Sequence, residues 1–180
     1  MSEPFALASP GPELGWACFS PDGKHRYVLR RTWDPRPHLL FAGMNPSKAG
    51  AVDNDPTVNL LRGFAKRARR GGLIIVNAHS IIETYSKKLP HTGTIGPDQW
   101  VEVRQVLRGA YGAIHGDVLC GWGDAGAGDE ADYLLELIES AGLKPVAIAL
   151  TKRGNPGHPL RKRLDVVPVE LPAKEVFANA

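Results

Sequence analysis

Four short runs of almost uninterrupted apolar residues constrain this chain more than anything else in it. They are HLLFAGM (38–44), GLIIVNA (72–78), DVLCGW (117–122) and KPVAIAL (144–150). Each is continuously apolar rather than alternating, the pattern of strands buried on both faces, as in a parallel sheet covered by helices. Stretches of helical period lie between them. Asp55-Pro56 is a good N-cap followed by proline at the first helical position, and Val58, Leu61, Phe64, Ala65 and Ala68 then recur at helical spacing until Gly71. GPDQWVEVRQVLRGAYGAI places Trp100, Val103, Leu107 and Ala110 on one face, and GDEADYLLELIESAG runs from an acidic first turn to Gly142. Strand–helix alternation of this kind predicts right-handed crossovers and a three-layer α/β/α sandwich. Upstream, GWACFSPDGKHRYVLRRTW predicts a β-hairpin, with strands Trp16–Ser20 and Arg26–Thr32 around a Pro-Asp-Gly turn. The expected organisation is a flexible leader over 1–15, a single α/β domain over 16–170 and a tail over 171–180.

The 180 residues suffice for one domain with a sizeable core. No run approaches the ~18 apolar residues of a membrane span. The first residues, MSEPFALASPGPELGW, lack a basic region followed by an apolar core, so no secretion signal is read and the cytoplasm is the default location. Cys18 and Cys120 suggest neither a disulfide scaffold nor a zinc site, and no metal or cofactor is expected. A monomer is expected. The net charge of +3 does not by itself identify a nucleic-acid binder. Its distribution says more. Arg62, Lys66, Arg67, Arg69 and Arg70 fall close together, and Lys152, Arg153, Arg161, Lys162 and Arg163 form a second cluster. Clustered basic charge either contacts phosphates or solvates a helix face. Arg62, Arg69, Arg70, Lys152, Arg153 and Arg161 are the candidate nucleic-acid contacts.

In sheets of this kind ligands bind beyond the carboxyl ends of the strands. That rule selects four loops: Gly43–Ser47, Asn77–Ser80, Trp122–Gly126 and Thr151–Leu160. In GMNPS, glycine allows close approach of backbone and ligand, and the Asn45 amide can hold a water or a ligand edge, or else cap a helical turn starting at Pro46. Beyond it, Asp53 and Asp55 could supply a general base, although Asp-Pro-Thr is also an ordinary helix start. Asn77 ends a buried strand where a branched aliphatic residue would continue the pattern, so its amide needs a partner from backbone or ligand. His79 titrates near neutral pH but reads equally as a loop residue. Trp122, between small residues, is either a core residue or a pocket wall that stacks on a base. His158-Pro159 sits among glycines and prolines beside basic residues, where a histidine can donate to a developing anion. No Walker-type loop, complete dinucleotide fingerprint or nucleophile elbow is present.

Taken in order, RYVL, NPS, DPT, VN, GWG and GNPGHPL resemble a bacterial and phage domain family of unknown function, numbered 1643, over roughly residues 16–163. A more distant resemblance is to the mismatch-specific and single-strand-selective branches of the uracil-DNA glycosylase superfamily. GMNPS is similar to their Gly-hydrophobic-Asn-Pro motif, and GHPL to the superfamily's His-Pro-Ser loop. LIIVNA looks like the strand that ends in a uracil-reading Asn in other branches. The resemblance implies a four-stranded parallel sheet in the order 2-1-3-4 and a cleft that takes a flipped-out nucleotide. It implies that Asn45 positions water at the sugar C1′, Asn77 hydrogen-bonds the base edge and His158 stabilises the departing base. With Asp55, read above as a possible general base, Asn45 and His158 are the catalytic candidates. Gly43, Met44, Ser47, Asn77, Trp122, Gly123 and Pro159 would line the substrate site. Leu160 stands where the superfamily loop has Ser, and Ser47 where Gly often follows Asn-Pro.

Three functions compete at this level. The first is an enzyme acting on a nucleobase or its glycosidic bond, in DNA or in a free nucleotide. The second is a nucleic-acid-binding module without turnover, and the third a small-ligand or effector-binding protein.

Overall fold

The computed structural model describes residues 13–85, 88–160 and 165–172. Among these residues seven strands form one sheet: β1 (Leu14–Phe19), β2 (Arg26–Thr32), β3 (His38–Gly43), β4 (Gly72–Asn77), β5 (Ile114–Gly121), β6 (Lys144–Ala147) and β7 (Val169–Glu170). Their order is β1-β2-β4-β3-β5-β6-β7. The pairs β3·β4, β3·β5 and β5·β6 are parallel, whereas β1·β2, β2·β4 and β6·β7 are antiparallel. Among the described residues there are three α-helices: α1 (Pro56–Arg67), α2 (Gln99–Leu107) and α3 (Asp129–Ser140).

This corrects the expected four-stranded parallel sheet in an α/β/α sandwich. The sheet is mixed and seven-stranded, because the N-terminal hairpin belongs to it rather than standing beside it. Leu29 to Thr32 pair with Ile75 to Gly72, so the backbone polar groups along that edge of β4 meet β2 instead of water. Tyr27, Val28 and Leu29 are buried along β2, so the strand is held by packing as well as by its ladder. At the other edge β7 adds a short antiparallel partner to β6. The superfamily fold that went with the four-stranded expectation is withdrawn with it.

Side-chain alternation along the strands divides the core. Leu40, Ala42, Ile74, Val76 and Val118 face Val103 and Val106 of α2 and Leu134 and Ile138 of α3. The intervening residues Phe41, Leu73, Ile75 and Leu119 face Val58, Leu61, Phe64 and Ala65 of α1. A period of two on the strands and 3.6 on the helices produces this sorting. α1 begins where its sequence predicts. Asp55 Oδ1 accepts the Val58 N–H at 2.7 Å and Pro56 occupies the first turn. Lys66 and Arg67 in the last turn suit the negative end of the helix dipole. Because α1 follows β3, its N-terminus sits near the carboxyl ends of the central strands and its C-terminus near their amino ends.

Candidate functional site

A cavity of about 480 Å³ opens where β3, β4 and β5 end beside the start of α1. Its floor is made by close approach. A Cβ on Gly43 would lie 2.9 Å from Phe41 Cε1 and 2.8 Å from Asn77 Oδ1, and a Cβ on Gly121 would lie 2.9 Å from Phe41 Cε2. Gly43 and Gly121 are register partners across β3·β5, so two glycines side by side let the Phe41 ring lie low against the sheet.

Gly43, Met44, Asn45 and Ser47 reach this cavity from the first predicted loop, and Asp55 from the start of α1. Asn77 reaches it from the end of β4, Trp122 and Gly123 from the third loop, and His158 from the fourth. Pro159 does not line it. It is buried behind, with Cδ 2.9 Å from where a Gly121 Cβ would stand. His79 turns away, its Nδ1 3.0 Å from Thr94 Oγ1. Asp53 does not line the cavity, and its backbone carbonyl accepts from Arg31.

The candidate phosphate contacts are distributed differently. Arg62 pairs with Glu13 and Asn59 on the surface of α1. Arg70 lines a separate cavity of about 320 Å³ with Phe64 and Arg67, and Arg69 is exposed beside it with φ +54°. The twelve residues of α1, about 18 Å of helix, separate that end from the candidate site. Lys152 and Arg153 are exposed on the fourth loop and do not line the main cavity. Arg161 lies outside the described residues.

Each polar side chain in the cavity has a defined situation. Asn45 Nδ2 donates to the carbonyls of Glu83 at 2.7 Å and Pro46 at 3.2 Å. This fixes the amide and leaves Oδ1 on its other side as an acceptor. Asp55 uses Oδ1 to cap α1 and Oδ2 to accept from Ser47 Oγ, so both roles read from Asp-Pro-Thr compete for one carboxylate. Asn77 is 4% exposed, and its Nδ2 is buried without a partner among the described residues. His158 stands at the rim, with part of its ring open to solvent. The protein crowded around the rest lowers its pKa, against the opposing pull of Asp55. The Leu160 N–H donates to His158 Nδ1 at 3.1 Å, which leaves the proton of the neutral ring on Nε2 as a donor.

Trp122 is both things weighed for it: 4% exposed within the core of α2 and α3, and a wall of the cavity. Beside it, Asp124 locks the third loop to the fourth. Its Oδ1 accepts from Thr151 Oγ1 at 2.6 Å and from Asn155 Nδ2 at 2.8 Å. These bonds, Asn155 first and Thr151 second, lower the Asp124 pKa. A carboxyl with a lowered folded-state pKa stabilises the lock above the ordinary carboxylate range and loses it as pH falls through the lowered value. Asp124→Ala should therefore give at neutral pH the loss of amide protection over residues 151–157 that the wild type shows only in acid. Unchanged hydrogen-exchange protection in the variant would show that the backbone alone holds the loop.

Two lining residues carried no sequence signal for a site. Phe41 reads as one more core residue of a continuous strand. Arg26 reads only as the first residue of a hairpin strand, yet it is 3% exposed and lines the cavity. Its Nη1 donates to the carbonyls of Ser47, at 3.4 Å, and Ala49. Burial pushes its pKa down to about 10, with Asp55 opposing that shift and Arg31 adding to it. Among the described residues no group of three or more His, Cys, Asp and Glu side chains is placed to hold a metal ion. No helix among them is long and apolar enough to cross a membrane.

A family model described as a protein of unknown function, DUF1643, matches residues 26–160. The chain belongs to that family. No curated protein and no solved structure matches it. The DUF1643 match begins at Arg26 and ends at Leu160, so it takes in every cavity-lining residue named above.

Proposed function

We propose that the cavity takes a nucleobase or nucleotide and that the protein processes it by hydrolysing an N-glycosidic bond. The observation that carries this reading is Asn77. A buried amide donor without a partner is costly, and is retained where a ligand completes it. Beside it the Phe41 ring offers a flat apolar surface, and an amide edge next to an aromatic face suits a base read at its edge and stacked on its plane. The likeness of GMNPS, VN and GHPL to uracil-DNA glycosylase motifs points the same way.

In this scheme Asn45 Oδ1 accepts from a water aimed at C1′. The water oxygen bonds to C1′ as the C1′–N bond breaks, and the bonding pair leaves with the base. His158 Nε2–H donates to the base anion as it forms, and the proton released by the water returns to the base. A second reading, binding without turnover, is favoured by one feature. Both oxygens of Asp55 and the Nδ2 of Asn45 are already engaged within the protein, which suits shaping a pocket.

Chromatographic detection of free base across DNA and free nucleotides with deaminated or modified bases separates the two. Hydrolysis predicts release from at least one substrate, slowed about 100-fold or more in Asn45→Ala, the loss expected when one positioned catalytic group is removed. Saturable binding across the panel with no base released leaves the binding reading and ends the hydrolytic one.

A further inference from the structure

We infer that the cavity seats a phosphate monoester against Arg26, so that its ligand is a nucleoside 5′-monophosphate rather than an internal stretch of a nucleic-acid strand. This rests on the base-binding reading above and adds the group at the other end of the ligand.

Arg26 is a buried cation with open valence. It has no ion pair among the described residues, and at 3% exposure it has little access to water. Nη1 is used on the carbonyls of Ser47 and Ala49, Nε is buried without a partner, and Nη2 has none among the described residues. Burying a charge in this way is unfavourable unless something pairs with it.

No carboxylate among the described residues forms an ion pair with Arg26, and Asp55 acts on it only through space. Asp55 is engaged with Val58 N–H and Ser47 Oγ, Glu83 Oε1 accepts the Tyr85 N–H at 2.8 Å, and Asp124 holds the fourth loop. Thr57 and Val58 bring the start of α1 to the cavity wall, but its Val58 N–H and the Ser47 hydroxyl are both given to Asp55, so the free donors for an anion there are those of Arg26. A guanidinium with free donors is suited to phosphate oxygens.

Depth selects the monoester. An internal phosphodiester carries chain on both sides and must lie along an open groove, where exposed basic residues meet it. A side chain as enclosed as Arg26 is reached only by a terminal group that enters the cavity. A free nucleotide and the 5′-phosphorylated end of a strand both provide such a group.

Calorimetric titration of the full chain tests this. The ligands are the four common nucleoside 5′-monophosphates, their nucleosides, inorganic phosphate, and a short oligonucleotide with either a 5′-phosphate or a 5′-hydroxyl. We expect a monophosphate to bind about 10- to 100-fold more tightly than its nucleoside, the gain expected from charge-assisted hydrogen bonds. Inorganic phosphate should compete. Arg26→Gln should bring nucleotide and nucleoside to parity, and Arg26→Lys should keep part of the preference. Arg26 also holds backbone carbonyls, so Arg26→Gln could fail to fold. In that case the wild-type preference for the monophosphate and competition by inorganic phosphate decide.

Equal binding of nucleoside and monophosphate overturns the inference and leaves the base reading intact. Binding of phosphate with no gain from any base keeps Arg26 as an anion site and ends the base reading. An oligonucleotide that binds equally well with either 5′ end, and more tightly than any mononucleotide, overturns the monoester. A 5′-phosphate preference confined to the oligonucleotide assigns the group to a strand end and overturns the free nucleotide as ligand. No binding by any of them overturns both readings.

Discussion

Arg31→Met should lower stability by about 3 kcal/mol and the melting temperature by about 6–12 °C for a domain of this size. Arg31 is 1% exposed, and it gathers the loop between β3 and α1 around one guanidinium. Nε donates to Asn54 Oδ1 at 2.9 Å, and Nη2 to the carbonyls of Gly50 at 2.8 Å and Asp53 at 3.0 Å. Nη1 donates to the carbonyl of Arg30 at 2.9 Å. Methionine keeps much of the aliphatic stem, so what is lost is the hydrogen bonding to a charged group. That loop carries Ser47 at its start and Asp55 at its end, so loosening it should also weaken ligand binding. Thermal unfolding at fixed pH checks the first effect. A drop of less than about 2 °C would mean that water replaces the guanidinium at these carbonyls with little loss.

Asn77→Leu has the opposite signature. Leucine has the branched shape and heavy-atom count of asparagine, and it removes a buried donor that has no partner among the described residues. The backbone carbonyl of Asn77, which accepts from Gln99 Nε2 at 2.5 Å, is untouched. Stability should stay level or rise by about 1 kcal/mol. Ligand binding or turnover should fall by about 100-fold or more, because a site built to hydrogen-bond one edge strongly rejects the loss of that bond. Paired melting and titration measurements on the variant decide. A fall of several degrees with binding intact would make Asn77 a structural residue and remove the support it lends to the proposed function. A protein that becomes more stable as it loses its ligand is the behaviour of a side chain kept for binding.

Much of the arrangement around the cavity is legible in the chain. β3, β4 and β6 fall within their apolar runs and the buried half of β5 within its own, because burial on both faces demands apolar residues at every position; β5 itself starts three residues earlier, at Ile114. The polar residues at or just beyond the ends of three of them, Asn45, Asn77 and Asp124, stand out against those runs. Adjacent parallel strands end at one edge of a sheet, so the loops converge there. The sheet's full width was not legible. In β2, Arg30 and Arg31 interrupt the apolar pattern, although Arg31 is among the most buried side chains described. β7 is two residues long, too short for any periodicity. The basic cluster of α1 illustrates a different limit. Arg62, Arg69 and Arg70 are close in sequence, yet a straight helix carries the last two to the far end of the sheet.

By itself the sequence determined the positions of the central strands, the start of α1 at Asp55-Pro56, and the loops that carry polar residues to one sheet edge. Those are consequences of burial, capping and turn chemistry acting over a few residues. Tertiary structure alone decided that the hairpin joins the sheet, that Phe41 lies low over Gly43 and Gly121, and that Arg26 is buried facing the cavity. The reason is physical. Whether a strand edge is paired, a ring has room, or a guanidinium meets water depends on residues far away in the chain, and no local pattern records who those neighbours are.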